Sequence, residues 1–220
     1  MSLVRRIVDL SIPLDRGTPV YPGDPAPEIR PATRIETDGF NVLSISIGSH
    51  AGTHVDAPYH MVEAGGRLED VDLGRFVGPL VVADATGLEP RSPVTWERIE
   101  PVSEQLRPGA ILAIRTGWAD IHRGSASYAD HPYLDPGACA RVLDRGVRTI
   151  AIDALSPDPT RPEDPAFPVH ELVLGAAGVI AENLANLGVV GPDALLCLFP
   201  IRLGEEADGA PCRAIALELD

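Results

Sequence analysis

The chain of 220 residues contains no lysine, because all 18 of its basic side chains are arginines. A Schiff-base enzyme needs an amine nucleophile, and a P-loop needs a lysine beside the terminal phosphates of its nucleotide. The absence of lysine therefore excludes both kinds of site. With 45% hydrophobic residues, the chain is long enough to bury one substantial core, and we expect residues 1–220 to form a single domain.

Cysteine is also scarce. Cys139, Cys197 and Cys212 are widely spaced, and no two of them form a C-x-x-C pair. An odd number of cysteines without such a pair indicates neither a disulfide framework nor a thiolate zinc site. We therefore expect three reduced, partly buried thiols.

Long hydrophobic runs are missing as well. The longest apolar stretch, residues 172–180, is interrupted by two glycines and falls short of the ~20 residues that a membrane-spanning helix needs. The first residues show no long apolar segment and no small-residue cleavage site, so we expect a cytoplasmic protein without an export signal. The 32 acidic residues against 18 basic ones give a formal net charge of -14, which disfavours binding to nucleic acid or to an anionic membrane surface.

Turn-forming residues are abundant, since 22 prolines and 21 glycines are dispersed along the chain. This distribution favours many short strands joined by ordered loops over a helical bundle. Helical spacing is clearest at residues 136–145, and a second helix is expected to begin just after His170. The order strand, helix, strand over residues 134–153 resembles a crossover unit, whereas the opening segments look antiparallel, so we predict a mixed α/β domain with a many-stranded or barrel-like sheet and a few helices. Segments rich in Val, Ile or Leu predict strands at residues 7–10, 41–48, 80–85, 110–115, 149–152, 195–200 and 212–219.

The densest cluster of chemically active side chains is the segment H-A-G-T-H-V-D-A-P-Y-H at residues 50–60, with three histidines and one aspartate. Imidazole and carboxylate together suit zinc, manganese or iron. A continuous helix is excluded, because Asp56 would lie about 200° round from His54 at ~100° per residue and Pro58 would break the helix.

A straight strand is excluded too, because His50 and His54 would then be about 13 Å apart at ~3.3 Å per residue, too far for ligands that lie about 2 Å from one metal. The chain must bend, and Gly52 is where it bends most cheaply, since it lacks a Cβ. The sequence therefore predicts a strand that ends near Gly48, followed by a loop that brings His50, His54 and Asp56 around a cation. The alternative is that these are solvent-facing loop histidines and that Asp56 caps a helix.

The full pattern H-x-G-T-H-x-D-x-P-x-H resembles that of the cyclase family, which includes bacterial kynurenine formamidases and isatin hydrolases. Residues 18–25, 115–118, 145–147 and 152–153 also sit where relatives have similar segments, so the resemblance extends over nearly the whole chain. It implies the cyclase-like swivelling β/β/α fold and a homodimer or homotetramer.

The resemblance also implies a centre with two divalent ions, with zinc as first choice and manganese as second. In this arrangement His50 and His54 bind one ion, His170 binds the other, and Asp56 and Glu182 bridge them. His170 and Glu182 match the family's second histidine and the glutamate twelve residues later. Without a metal, His170 would be an ordinary residue at a helix start and Glu182 a solvated carboxylate.

Paired divalent ions ~3.5–4 Å apart activate a shared water and polarise a carbonyl, so that no protein nucleophile is needed. The chain indeed has no G-x-S-x-G segment, and we predict direct hydrolysis by metal-bound hydroxide. By resemblance, His60 is the acid/base residue that moves a proton between the attacking water and the departing amine, as a usual pKa of ~6.5 permits. The alternatives for His60 are a third metal ligand or a residue that orients a ligand.

The substrate depends on position 21, where the family's kynurenine formamidases carry tryptophan and this chain has Tyr21. Tyr21 could stack on an aryl amide and donate a hydrogen bond, or it could fill the core beside Pro22. With Trp118 and Phe167 as further lining candidates, the resemblance favours an N-formyl arylamine such as N-formylkynurenine, hydrolysed to formate and the free amine. The alternatives are ring opening of a cyclic amide such as isatin, or a non-catalytic metal-binding protein.

The remaining candidate side chains are assigned no part in the reaction. His122 and His131 lie in a polar stretch and are predicted to be surface residues. Asp153 follows a strand-like segment, where it could orient a metal ligand from the strand end or simply form a turn.

Overall fold

The structure is a computed structural model that describes residues 3–163, 166–204 and 206–220. Within these residues, nine strands form one mixed sheet, and two further pairs of strands form small separate sheets. The strands are β1 (Val4–Asp9), β2 (Glu28–Thr33), β3 (Val42–Ser46), β4 (His54–Asp56), β5 (Val77–Asp84), β6 (Pro93–Val94), β7 (Ile111–Arg115), β8 (Tyr133–Leu134), β9 (Thr149–Ile152), β10 (Val179–Glu182), β11 (Leu195–Cys197), β12 (Gly209–Pro211) and β13 (Ile215–Leu219). The helices are α1 (Ile35–Asp38), α2 (Trp96–Ile99), α3 (Trp118–His122), α4 (Pro136–Asp144) and α5 (Pro168–Gly175). Short 3-10 helices lie at Pro58–His60, Leu68–Asp70, Leu73–Arg75, Glu100–Gln105, Ala126–Asp130 and Leu187–Val189.

The main sheet runs in the order β1-β13-β11-β5-β7-β9-β10-β4-β12. Its middle strands β5, β7, β9 and β10 are parallel, and the strands on either side of them pair antiparallel. Strands β7, β9 and β10 are buried almost throughout, which is why they have nearly continuous apolar sequences rather than an alternating pattern.

Alternate residues of β7 point into two separate hydrophobic clusters. Ile114 packs on the side of the helices, together with Val142 of α4. Ala113 points to the other side, where it packs in a cluster that includes Ala216 of β13. The second cluster also holds residues of β1 and β4, which lie near opposite ends of the sheet, so the sheet curls around this cluster as a half-barrel. The predicted mixed α/β fold with a barrel-like sheet is confirmed.

The short strand β4 carries two of the predicted metal ligands into the interior. His54 in β4 pairs with Glu182 in β10, so a predicted ligand from each strand lies at the same level of the sheet. On its other edge β4 pairs with β12, where Gly209 faces Asp56. All three residues of β4 are buried, which encloses the site between neighbouring strands.

Each of the seven predicted strands overlaps an observed one, and the antiparallel pairing of the opening segments is observed for β1 and for the β2–β3 hairpin. The prediction missed strands β2, β4, β6, β10 and β12. The predicted start of the second helix was wrong: α5 begins at Pro168, because proline suits a first helical turn, and His170 lies inside the helix. In the region of the predicted crossover unit, β8 pairs with β6 instead of joining the main sheet. Within the described residues, no helix has the length and apolar character that a bilayer crossing demands.

Candidate metal centre

The loop that precedes β4 has the bend that the sequence predicts. Gly52 adopts a left-handed backbone with φ +69°, which residues with a Cβ rarely adopt. The bend brings the rings of His50 and His54 together, with their centroids 5.1 Å apart in an edge-to-face arrangement. The alternative, in which these side chains point separately into solvent, is wrong, since His54 and Asp56 are fully buried and His50 is half-buried.

His50, His54 and Asp56 form the first group of candidate ligands. Oδ1 of Asp56 lies 2.7 Å from Nδ1 of His50 and 3.3 Å from Nε2 of His54. One potential ligand atom from each residue lies within 4.8 Å of the others, which is close enough for all three to hold one ion.

Asp56, His170 and Glu182 form a second group that meets the same distance limit. Nε2 of His170 lies 3.3 Å from Oε1 of Glu182 and 3.7 Å from Oδ2 of Asp56. The other oxygen of Glu182, Oε2, lies 3.4 Å from Nε2 of His54. Both carboxylates therefore lie between His54 and His170, and each turns one oxygen toward each of these histidines.

In both buried histidines, His54 and His170, Nδ1 is occupied by a hydrogen bond, so Nε2 is the nitrogen that faces the carboxylates. Nδ1 of His54 donates to the carbonyl oxygen of Gly52 at 2.8 Å, and Nδ1 of His170 donates to Oδ2 of Asp158 at 2.7 Å. In the neutral form of each ring, which carries a single proton, Nε2 is left with its lone pair. Such a partner for the outer ring nitrogen is the usual environment of a metal-binding histidine.

Two buried polar atoms of the cluster make no hydrogen bond with any described residue: Nε2 of His54 and Oδ2 of Asp56. Buried polar groups are otherwise almost always paired, because an unsatisfied one costs about 1–3 kcal/mol. A nitrogen lone pair and a carboxylate oxygen are both ligands that zinc and manganese accept. The residues present therefore fit a divalent cation.

The electrostatics of the pocket favour positive charge. Burial by itself would lower the pKa of His50, but hydrogen bonds to Asp208 and Asp56 raise it to about 10. Burial likewise opposes the charge on Asp56, yet the neighbouring His54 and His170 hold the pKa of this carboxyl well below its usual range. The carboxyl of Asp56 is thus ionised, and a cation placed beside it is stabilised.

His60 lies at the open side of the cluster, at the end of the 3-10 helix Pro58–His60. Its ring centroid is 4.0 Å from that of His50 and 5.9 Å from that of His170. Nδ1 of His60 is 3.2 Å from Oδ2 of Asp208, and the same oxygen is 2.9 Å from Nε2 of His50. Asp208 was missed by the sequence analysis, because no local spacing links a residue beside β12 to the segment at residues 50–60.

A cavity of about 180 Å³ opens onto this cluster, and its lining combines the predicted ligands with aromatic side chains. Tyr21 and Phe167 both line it, with ring centroids 5.9 Å apart. Trp118 does not line it: its side chain is buried and its Nε1 donates to the carbonyl oxygen of Tyr128 at 3.1 Å. A larger groove of about 630 Å³ is lined by residues from 9–14 and 199–213 and by Ala51 and Thr53 of the ligand loop, and none of the predicted ligands lines it.

The structure also decides the remaining candidates. The prediction that His131 is a surface residue was wrong, because its ring is buried between the carbonyl oxygen of Pro132 and the hydroxyl of Thr160, at 2.9 Å each. His122 is half-buried and stacks on Trp118. Asp153 orients no ligand, since both of its oxygens accept backbone or hydroxyl hydrogens of residues 116–117.

Comparison with known proteins shows which family and which fold this chain resembles. Residues 8–159 match the family model described as "Putative cyclase". The kynurenine formamidase of Delftia acidovorans is 33% identical over 216 residues, which cover 97% of this chain and 98% of that protein. Isatin hydrolase A from Labrenzia aggregata, solved with benzyl benzoate bound, has 26% sequence identity to this chain and a TM-score of 0.87. The matched region covers 98% of this chain and 94% of the isatin hydrolase chain.

A second solved structure, an isatin hydrolase bound to the product analogue thioisatinate, has a TM-score of 0.89 at 24% identity, over 99% of this chain and 94% of that one. This likeness shows that the fold is shared. The family match and the full-length similarity to a curated relative go further, and they show that this chain belongs to the cyclase family.

Proposed function

We propose that this chain is a metal-dependent hydrolase that cleaves the C–N bond of a small amide, with N-formyl arylamines such as N-formylkynurenine as its substrates and formate and the free amine as products. The observation that carries the proposal is the position of Asp56 and Glu182, each with one oxygen toward His54 and the other toward His170. Carboxylates placed in this way suit two ions side by side. The 33% identity to a kynurenine formamidase over nearly the whole chain supports the substrate class.

In the proposed centre, His50 and His54 would hold one ion, His170 would hold the other, and Asp56 and Glu182 would contribute oxygens to both. We propose zinc as first choice and manganese as second, because the ligand atoms are imidazole nitrogens and carboxylate oxygens. When bound, paired ions of this kind lower the pKa of a shared water and polarise a carbonyl. Their affinity depends on ionised carboxylates and neutral rings, and the pocket holds the carboxyl of Asp56 in its ionised form.

His60 is the residue we propose for proton transfer. Its Nδ1 faces Asp208, which leaves Nε2 for a substrate in the adjoining cavity. An amide nitrogen leaves poorly unless it is protonated, and a histidine at this place moves a proton from the attacking water to that nitrogen. Removal of such an acid/base group typically slows a reaction about 10²–10⁴-fold.

Tyr21 and Phe167 provide an aromatic wall on the other side of the cavity. Offset or tilted packing of a substrate ring against such side chains favours aryl amides. The volume of about 180 Å³ favours a small molecule over a polypeptide chain. Isatin, a cyclic amide, is the second candidate substrate, because isatin hydrolase A shares this fold at 26% identity.

A paired assay tests the substrate class. The protein is loaded with zinc and, separately, with manganese, and turnover of N-formylkynurenine and of isatin is measured under the same conditions. Faster release of formate from N-formylkynurenine is the expected result, and preferential opening of isatin would make the second candidate the function. Inactivity toward both substrates with both metals would remove the proposed substrate class.

Two histidine variants test the assignment of roles. His54→Ala is expected to lose bound metal, whereas His60→Ala is expected to keep its metal and to lose most turnover. His122→Ala is the control, because this half-buried side chain stacks on Trp118 outside the cluster. Unchanged metal content in His54→Ala would contradict the centre, and loss of metal in His60→Ala would make His60 a ligand.

We also propose a homodimer or homotetramer in the cytoplasm, and the mass of the protein in solution tests the assembly.

A further inference from the structure

One carboxylate oxygen connects a proposed metal ligand with the proposed acid/base residue. Oδ2 of Asp208 lies 2.9 Å from Nε2 of His50 and 3.2 Å from Nδ1 of His60. The two rings that it joins are held with their centroids only 4.0 Å apart. Asp208 is therefore in contact with both functional histidines, although it lies far from them in the sequence.

The backbone holds Asp208 firmly in this position. Its carbonyl oxygen accepts the N–H of Ala57 at 2.8 Å, directly after β4. The next residue, Gly209, packs so closely that a Cβ there would lie 2.6 Å from the carbonyl oxygen of Val55 and 2.9 Å from Cε1 of His50. Glycine is thus required beside Asp208, because a Cβ at position 209 would displace the ring of His50 or the backbone of β4.

We propose that Asp208 is a positioning residue that selects the tautomer of His60 and holds the ring of His50 beside it, an inference that rests on the proposed function. An ionised carboxylate only accepts hydrogen bonds, so each ring nitrogen that faces it carries a proton. For His50, both ring nitrogens face a carboxylate, Nε2 that of Asp208 at 2.9 Å and Nδ1 that of Asp56 at 2.7 Å, so Asp208 holds the ring without selecting its tautomer. For His60, a proton on Nδ1 leaves Nε2 for the substrate. Outer partners of this kind commonly set ring orientation and ligand basicity.

Nitrogen-15 NMR of the histidine rings tests the inference without any turnover. The zinc-loaded protein has only six histidines, and the signals of His60 are identified by their loss in His60→Gln. In the wild type we expect His60 to be protonated on Nδ1. In Asp208→Ala, part or all of the His60 population should move its proton to Nε2. Asp208→Asn, which keeps the shape and one acceptor oxygen, should give an intermediate result.

Glu206→Gln is the matched control, because it removes a carboxylate two residues away that pairs with Arg67 at the surface. The control should keep the wild-type tautomers and zinc affinity. Asp208→Ala should lower zinc affinity about tenfold and kcat about 10–100-fold, with KM changed less than about twofold, because Asp208 does not line the cavity that adjoins His60.

The outcomes separate the inference from the proposed function. Wild-type tautomer and zinc affinity in Asp208→Ala would overturn the positioning role, whatever the wild-type enzyme hydrolyses. A zinc-loaded wild type that cleaves neither candidate substrate would overturn the proposed function, whereas the change of tautomer in Asp208→Ala would still be measured.

Discussion

The side chain of Asp158 bonds both the ring and the backbone of His170. Its Oδ2 accepts the ring N–H of Nδ1 at 2.7 Å and the backbone N–H of His170 at 3.0 Å, and its Oδ1 accepts the backbone N–H of Val169 at 2.9 Å. One buried carboxylate therefore satisfies the first turn of α5 and turns Nε2 of His170 toward Glu182. The start of this helix and the second half of the candidate centre depend on the same residue.

Replacement of Asp158 should weaken metal binding more than the loss of an ordinary helix cap does. We expect Asp158→Ala to lower zinc affinity about 10–100-fold, because the ring of His170 loses its outer partner. Asp135→Ala is the control, since Asp135 accepts the N–H of Ala138 at 2.9 Å at the start of α4, away from the centre. Loss of such a cap costs about 1 kcal/mol. Competition with a chromophoric chelator measures the affinity, and equal affinities in the two variants would contradict this role.

A left-handed glycine shapes the ligand loop. A Cβ added at Gly52 would meet Cδ1 of Leu14 at 3.4 Å and Cγ2 of Thr18 at 3.5 Å, which are ordinary contacts, so the cost of Gly52→Ala comes from its backbone. We expect this change to lower the free energy of unfolding by about 1–2 kcal/mol and to weaken zinc binding as the loop relaxes. The control is Gly39→Ala at the end of α1, with φ +80° and open space around its Cα.

Both variants should show a similar loss of stability in urea unfolding of the metal-free protein. Only Gly52→Ala should also lose zinc affinity. If Gly52→Ala bound zinc as tightly as Gly39→Ala, the bend would not be needed to bring His50 and His54 together.

Strands such as β7 and β9 could be predicted from the sequence because they contain apolar runs, whereas β4 and β12 could not. Strands β5, β7 and β9 consist mainly of Val, Ile, Leu and Ala, and their apolar runs are evident by themselves. The segments of β4, His-Val-Asp, and of β12, Gly-Ala-Pro, show no strand pattern. They become strands only because β10 and β12 flank β4 in the folded sheet.

The candidate site divides in the same way. His50, His54 and Asp56 are close in sequence, so the geometry of a bent chain was enough to group them. His170 and Glu182 were linked to them only through the family resemblance. Asp208 lies 148 residues from His60, and its contact is created by the pairing of β12 with β4. A carboxylate that acts on a histidine across the fold leaves no signal in local spacing.

The hydroxyl of Tyr21 is buried and makes no hydrogen bond with any described residue. Tyr21→Phe should therefore leave stability unchanged or raise it slightly, because no bond is lost. If the hydroxyl donates to the substrate, KM for N-formylkynurenine should rise about fivefold, which corresponds to ~1 kcal/mol. Tyr128→Phe provides the contrast in stability: its hydroxyl donates to Oδ1 of Asn183 at 2.8 Å, and its loss should cost about 1–3 kcal/mol. An unchanged KM in Tyr21→Phe would leave the side chain as packing only.

The buried ring of His131 should make the protein less stable in mild acid. Burial lowers the pKa of His131 to about 4, whereas an unfolded histidine has a pKa of ~6.5. Between these values the unfolded chain binds more protons than the folded one, so stability is lost as the pH falls. The expected contribution of His131 is a loss of about 2 kcal/mol between pH 7 and pH 5.

Urea unfolding of the wild type and of His131→Gln at both pH values measures this contribution. Glutamine has no titrating group, and it retains an amide with which to bond Thr160. All other titrating groups are present in both proteins. Their contributions therefore cancel when the loss in free energy of unfolding of the variant is subtracted from that of the wild type. The wild type should lose about 2 kcal/mol more than the variant between pH 7 and pH 5. Equal losses would mean that the folded protein accepts a proton on His131 as readily as the unfolded chain, contrary to the burial of its ring.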